Sequence, residues 1–281
     1  MKIPLLWLND YVESKKSPKE IAESFTLLGL MLDKNIDNKV LDLEHRMDRS
    51  DWLSIMGCAR DLAAFEGLNL KQPEMFTGEC KPAPLGQGVE IKVECPELVR
   101  RFNTRIFKNI KVQTSPFWLK ERLEAYGIPS INNIVDITNF VMVEMGQPMH
   151  AQDLSKMEKR EIVIRRARVG EELTTLLGQT ITLDPECFVL TQNGKATVLG
   201  GIVGTPLTAV DESTTEIVLD AGNYDQVNIR KNSRKLKIQN ETVLRYDKFL
   251  SPKLTEIAIA RATKLLLDLA GGECFMNIDY Y

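Results

Sequence analysis

Histidine is the scarcest residue here with acid–base reach: the chain has two, His45 and His150, in 281 residues. His150 closes INNIVDITNFVMVEMGQPMH, a helix-like run that stops at Gly146, so it stands just past a helix end. A lone imidazole in such a place is more often a satisfied structural group than a base or a ligand contact, and the residues by themselves favour that reading. Asp220 ends the strand-like EIVLD before Ala221-Gly222. A carboxylate there is either solvated, the commoner case, or turned into a pocket to accept a hydrogen bond. Gly200, Gly201 and Gly204 in LGGIVGT lack the Gly-Lys-Ser/Thr of a phosphate loop and do not match the dinucleotide fingerprint. They either let a backbone approach a ligand or form a bulge. No serine or cysteine sits in a nucleophile-elbow setting, which argues against a covalent triad.

Basic side chains form two groups. Arg230, Arg234 and Lys237 fall at i, i+4 and i+7 of a helix expected over about 225–237, and Arg165, Arg166 and Arg168 cluster on a strand. Each group is a solvated face or a set of phosphate contacts. The net charge of −3 excludes a generally basic nucleic-acid binder and leaves room for a local basic face. Five cysteines, at 58, 80, 95, 187 and 274, contain no C-x-x-C pair. Their odd number and wide spacing read as free, mostly buried thiols in a reducing compartment, and a structural metal is not expected. The N-terminus lacks the form of a signal peptide, and no apolar stretch reaches the roughly 20 residues of a membrane span, so a cytoplasmic protein without membrane contact is expected.

The elements that must position these groups are partly legible. Ser17, Pro18 and Glu20 signal a capped helix that Gly29 ends, and a second helix is expected from about Ser50 to Phe65. VLDLEHR between them alternates like a strand. Residues 71–88, rich in Pro and Gly, read as a linker. The expected domains are therefore 1–78, a small helical module, and 79–281. The second opens with strands at 89–94 and 101–110, then a helix capped by Ser115 and ended by Gly127. The helix that precedes His150 is next, and then a strand-rich stretch with an Asn193-Gly194 hairpin. Helices are expected at about 225–237 and 252–270. Strands and helices mix without a βαβ rhythm, so the fold class is α+β.

Longer motifs in order carry a resemblance. MKIPLLWLNDYV, AESFTLLGLMLD, DRSDWLSIMGCARDLAAFEGL, INNIVDITNFVMVEMGQPMHAQD, VLGGIVGT, TEIVLDAGNYD and ETVLRYDKFLSP run over nearly the whole chain. Together they make it similar to the N-terminal part of the β subunit of bacterial phenylalanyl-tRNA synthetase. In the usual subunit an OB-fold domain interrupts the first module. Here GLMLDKNIDNKVLDLEHR joins its halves directly, near Lys34 to Lys39. The usual subunit also continues past the point matching GGECFMNIDYY, so a piece of a longer chain is expected.

The resemblance implies an editing module that hydrolyses tyrosine wrongly attached to phenylalanine tRNA. An apolar phenylalanine pocket rejects an isostere with one added hydroxyl only weakly, so a second site must read the phenol positively. The ester is already activated, and a positioned water can suffice without a covalent nucleophile. Carried over, His150 is the editing-site histidine, holding substrate or water, and Gly204 is a pocket glycine. Asp220 stands where a glutamate usually reads the tyrosine hydroxyl. Thr205, Asn240 and Thr242 line the pocket, and Thr138 and Asn139 stand in the helix before the histidine. The implied partners are phenylalanine tRNA, touched by Arg230, Arg234, Lys237, Arg165 and Arg166, and the synthetase α subunit in an α2β2 assembly. No cofactor belongs to this chain; ATP and Mg serve only the complete synthetase.

Four departures bear on activity. Asp220 is one methylene shorter than glutamate, about 1.5 Å less reach. Thr205 replaces a second glycine, Pro129 an arginine and Asn240 a threonine. Three readings stay open: a working editing domain, a degenerate scaffold that holds the synthetase and touches tRNA, and a free-standing deacylase.

Overall fold

In the computed structural model, residues 1–35, 39–44, 46–176 and 178–281 are described. Residues 36–38, the middle of the join read near Lys34 to Lys39, lie outside the described residues, as does His45.

Local signals build the first elements: β1 (Lys2–Pro4), α1 (Leu5–Leu8), α2 (Pro18–Leu28), β2 (Leu32–Asn35), β3 (Val40–Leu43) and α3 (Ile55–Glu66). Ser17 and Glu20 form the expected capping box on α2, and Gly29 ends that helix in the left-handed region at φ 98°. The helix expected from Ser50 starts later. Ser50–Leu53 is a 3-10 turn, and Ser54 caps α3 by accepting from the Gly57 amide at 3.0 Å. A side chain at residue 57 could not pass, since its Cβ would lie 1.9 Å from the Asp51 carbonyl oxygen.

The rest of the chain runs β4 (Lys81–Pro82), β5 (Glu90–Val93), β6 (Val99–Lys108), α4 (Phe117–Tyr126), α5 (Asn133–Met145), β7 (His150–Asp153) and β8 (Glu161–Arg166). Then come β9 (Glu172–Thr174), β10 (Thr180–Thr182), β11 (Phe188–Gln192), β12 (Lys195–Leu199), β13 (Val203–Gly204) and β14 (Glu216–Tyr224). α6 (Gln226–Lys235), α7 (Glu241–Tyr246), α8 (Leu254–Ala270) and β15 (Glu273–Tyr280) complete it. The mixture is α+β, as the absence of a βαβ rhythm implies. Ser115 does not cap α4; its hydroxyl donates instead to Asp136 at 2.6 Å. The short helices α1 and α7 have no counterpart in the periodicity, because one or two turns leave too few repeats to see.

Two five-stranded sheets carry the larger part, ordered β4-β15-β6-β14-β7 and β13-β12-β11-β8-β5, and β1-β3-β2 makes a small third sheet. Side chains alternate across a strand, and β14 shows the consequence. Ile217, Leu219 and Ala221 point to a core filled by the helices, whereas Val218 and Tyr224 point to a second core between the sheets. Residue 220 therefore faces the space between the sheets.

The helical core does not stop at the expected boundary between residues 78 and 79. Trp7 stacks on Phe140 at 4.6 Å between ring centroids, and Phe25 and Leu62 share that core with Leu219 and Leu266. The Pro- and Gly-rich stretch lies along this body, with the Lys71 amide bonded to Tyr11 and the Phe76 amide to Ala260. Among the described residues no helix is long and apolar enough to cross a membrane.

The cysteines need a correction. Cys80 and Cys274 are joined as a disulfide, where β4 lies parallel beside β15. Spacing along the chain cannot reveal a pair 194 residues apart. Cys58, Cys95 and Cys187 are free and buried. Burial pushes the Cys58 thiol up to about 12 and the Cys95 thiol up to about 11, and only the thiolate is nucleophilic. An alkylating agent at pH 8 should therefore leave the native chain unmodified and, after denaturation without reductant, label Cys58, Cys95 and Cys187 alone. Mass spectrometry decides; labelling of Cys80 or Cys274 in that sample would refute the pairing.

Candidate active site

The motif that ends in His150 takes its shape from the caps of its helix and the strand beyond it. Asn132 caps α5 by accepting from the Ile134 and Val135 amides, and Gly146 stops it in the left-handed region at φ 86°. The chain then turns into β7, an edge strand that pairs antiparallel with β14 and sets His150 directly opposite Asp220. Two buried side chains clamp this turn to β14. Gln147 Nε2 donates to the Pro148 and Gly222 carbonyls, each at 2.9 Å. The Tyr246 hydroxyl donates to the same two carbonyls at 3.1 and 2.9 Å. The approach to His150 and the exit from Asp220 are thus held together by the two protons of Gln147 Nε2 and the one hydroxyl proton that Tyr246 shares between the same carbonyls.

His150 and Asp220 open on a cavity of about 90 Å³ whose other walls include Met149, Leu190, Val198, Tyr224 and Tyr246. Asp220 is buried, with its side chain 5% exposed, while the His150 side chain stands at the mouth, 30% exposed. His150 Nδ1 lies 3.6 Å from Asp220 Oδ2, too long for a hydrogen bond. Among the described residues Nδ1 has no hydrogen-bond partner. Oδ2 accepts from Gln152 Nε2 at 3.2 Å. Gln152 is itself oriented by Gln192 Nε2 at 3.0 Å and Thr208 Oγ1 at 3.3 Å, both donating to its Oε1. Among the described residues nothing donates to Asp220 Oδ1. A carboxylate oxygen without a donor, on a buried side chain that lines a largely apolar cavity, is free to accept a hydrogen bond from a ligand's hydroxyl.

β13 closes the cavity opposite the imidazole. A Cβ on Gly204 would lie 3.3 Å from His150 Nε2, so a larger residue there would press on the ring and require it to shift by a few tenths of an ångström. The phenols of Tyr224 and Tyr246 are held protonated well above their ordinary range. Burial is the main cause for both; for Tyr246 the Asp220 charge is second, and for Tyr224 the neighbouring Tyr246 and then Asp220.

The expected site residues are only partly brought together. His150, Gly204, Asp220 and Thr242 line the cavity. Asn240 stands behind its wall, capping α7 and donating from Nδ2 to the Ile202 carbonyl at 2.9 Å. Thr205 does not crowd Gly204 within the cavity. Its hydroxyl turns away to donate to the Thr197 carbonyl at 2.9 Å, and it faces a separate groove. Thr138 bonds back to the Val135 carbonyl within α5, and neither it nor Asn139 reaches the cavity.

The expected basic stripe is also broken up. α6 ends at Lys235, and Lys237 lies past it with φ 56°, off the helix. Arg230 donates to the Asp247 carbonyl at 2.6 Å. Arg165 is buried in a two-bond pair with Glu171 at 2.8 and 2.7 Å, which leaves it no fork for a phosphate. Arg166 pairs with Glu97 at 2.8 Å on the surface, and Arg234 is exposed. Sequence reasoning missed Gln147, Gln152, Tyr224 and Tyr246. Two of them carried a signal: Gln152 shares the face of His150 on β7, and Tyr224 shares the parity of Asp220.

The B3/4 domain family matches residues 98–271. The chain is 41% identical over 275 residues to the phenylalanine–tRNA ligase beta subunit of Clostridium acetobutylicum, covering 93% of this chain and 35% of that one. The same-named subunit of Clostridium tetani is 39% identical over 88% of this chain and 31% of its own length. That of Rhodopirellula baltica is 34% identical over 97% and 40%. The chain thus spans about a third of the length of these relatives. An N-terminal fragment of the phenylalanyl-tRNA synthetase beta-subunit from Pyrococcus horikoshii shows a weak overall likeness, TM-score 0.47 at 13% identity, over 98% of this chain and 75% of that one. The matched span holds His150, Gly204, Asp220 and Thr242, and so every expected residue that lines the cavity; this chain belongs to the B3/4 domain family.

Proposed function

We propose that this chain is the N-terminal part of a phenylalanine–tRNA ligase β subunit and that its cavity hydrolyses tyrosine from mischarged phenylalanine tRNA. The carrying observation is Asp220: a buried carboxylate with one oxygen undonated, on an otherwise largely apolar and aromatic wall. That is the chemistry that separates a phenol from a phenyl ring. Phenylalanine would leave the carboxylate dry, and a site built to bond a hydroxyl rejects the analogue that lacks it strongly.

In this reading the tyrosyl ring enters past His150 and its hydroxyl donates to Asp220. The ester then lies at the mouth, beside the imidazole and the Gly204 backbone. Water attacks the ester carbonyl carbon and gives up a proton, the bond to the ribose oxygen breaks, and that proton ends on the freed ribose oxygen as tyrosine leaves. His150 positions the ester or the water. No covalent intermediate is needed, because the ester is activated and proximity supplies the acceleration. The partners are phenylalanine tRNA, with the exposed Arg234 and Lys237 the best-placed of the expected contacts, and the α subunit of an α2β2 synthetase. The compartment is the cytoplasm, and ATP and Mg belong to aminoacylation by the complete enzyme.

The test is deacylation of Tyr-tRNA(Phe) against Phe-tRNA(Phe), with this chain and with the full synthetase. Selective loss of tyrosine is expected, reduced about tenfold or more by His150→Ala as the positioning of ester or water is lost. No loss with either preparation would leave a scaffold; an unchanged rate in His150→Ala would remove the histidine from the reaction.

A further inference from the structure

Two tyrosines line the cavity, and only one has its hydroxyl engaged. Tyr246 donates to the Pro148 and Gly222 carbonyls. Tyr224 has no hydrogen bond from its hydroxyl to any described residue, although it is 6% exposed. Tyr224 lines the cavity, so a ligand there can supply the partner that its hydroxyl lacks.

The backbone explains where that hydroxyl points. Residues 220, 222 and 224 share one face of β14. Between Asn223 and Tyr224 the register with β6 shifts, Asn223 standing opposite Arg101 and Tyr224 opposite Val99. The Tyr224 ring folds back along the strand over Gly222. A Cβ on residue 222 would lie 2.1 Å from the ring's Cζ and 2.2 Å from its Oη. The hydroxyl therefore sits above residue 222, one side-chain repeat from Asp220, a spacing of roughly 6.6–6.8 Å along a strand. A single ligand oxygen can stand between two groups so placed. Phe188 and Tyr246 hold the ring on either side, each 5.1 Å away between centroids.

We propose that Tyr224 is a specificity residue of this cavity: its hydroxyl donates to the phenol oxygen of an incoming tyrosyl group while Asp220 accepts that phenol's proton. The proposal rests on the tyrosyl-ester reading above and deepens it. A carboxylate offers only acceptors, so alone it satisfies the ligand's proton and leaves the phenol's lone pairs dry in a desolvated site. Tyr224 supplies the missing donor. Burial and the nearby Asp220 charge both keep its proton in place. The second reader also offsets the short reach of an aspartate, because the ligand is located by two groups instead of one long carboxylate. A phenylalanyl group would leave both groups unpaired.

The test is calorimetric titration of this chain with non-hydrolysable 3′-tyrosylamino-adenosine and 3′-phenylalanylamino-adenosine, for the wild type and Tyr224→Phe. The substitution keeps the ring and removes an unpaired hydroxyl, so the fold should persist. Affinity for the tyrosyl compound is expected to fall about tenfold, the worth of one hydrogen bond. Affinity for the phenylalanyl compound should stay within about twofold. An unchanged preference for tyrosyl in Tyr224→Phe, equal weakening for both compounds, or no preference in the wild type would overturn the proposal. Preference that the wild type shows and Tyr224→Phe loses, together with no deacylation of Tyr-tRNA(Phe), would uphold Tyr224 and overturn only the hydrolytic reading.

Discussion

Asp220→Asn should lower the discrimination between Tyr-tRNA(Phe) and Phe-tRNA(Phe) by about 10- to 100-fold while leaving the chain as stable as before or more so. Asparagine keeps the shape, and its amide oxygen can still accept from Gln152. What it loses is the charged acceptor: with the amide oxygen held by Gln152, an NH2 group takes the place of Oδ1, and it cannot accept a hydrogen bond from the substrate's phenol. Hydrogen bonds to charged groups contribute roughly 1.5–3 kcal/mol, which converts to the stated range. Stability should move the other way. The side chain is 5% exposed, among the described residues its carboxylate receives a single hydrogen bond of 3.2 Å, and it lies 3.6 Å from His150 Nδ1. That is poor compensation for a buried charge, and sites kept for ligands commonly cost stability. Deacylation rates and urea midpoints on the same preparation check both halves. A large drop in midpoint would make Asp220 a structural residue, and unchanged discrimination would remove it as the reader of the phenol.

The largest expected stability effect lies far from the cavity, at Glu144. This side chain is fully buried on α5. It accepts two hydrogen bonds from Arg261 of α8, at 2.8 and 2.9 Å, and one from the Tyr11 hydroxyl after α1. Burial, then the Glu144 charge, pushes the Tyr11 phenol far above its usual range, so Tyr11 stays a donor. The three groups tie the first helices of the chain to the helical layer behind β14. Removing one member of a buried pair strands the other charge, at about 3–5 kcal/mol. Glu144→Ala would leave the Arg261 guanidinium with the Glu74 carbonyl, 2.7 Å away, as its remaining protein acceptor. Against a total of roughly 5–15 kcal/mol for a typical chain, that is a large share of the margin. Urea unfolding should show Glu144→Ala losing about 3–5 kcal/mol, and Tyr11→Phe added to it should cost little more, since the partner has already gone. A loss below about 1 kcal/mol, or full additivity, would mean the three groups do not act together.

Legibility tracked the range of the interaction. The α2 capping box, the glycine stops at Gly29, Gly127 and Gly146, and the Asn193-Gly194 turn depend on a few neighbouring residues, and each stands where the chain signalled it. Signals that compete with distant partners misled. Ser115 looks like a cap but has Asp136 within reach. Lys237 continues a helical spacing that the helix itself abandons at Lys235. Arg165 resembles a phosphate contact until Glu171 folds beside it. The boundary near residue 78 marks a real change in composition, yet the helical core runs across it, because Trp7 finds its partner in Phe140.

Residue order marked the candidate groups (a histidine just past a helix end, an aspartate late in a strand, and glycines where a backbone can come close), though taken singly each had a structural reading at least as good. The order of the motifs also related them to one family. That these groups face one another, and with what help, emerged only on folding. His150 meets Asp220 because an edge strand pairs with β14 in one register, and a slip of one residue would turn each to the opposite face. The same packing fills Arg165's fork, turns Thr205 away and joins Cys80 to Cys274. It also lays the Tyr224 ring over Gly222 beside the carboxylate. Caps and turns are settled by a few adjacent residues, whereas register, face and cavity are settled by long-range contacts that no local pattern encodes.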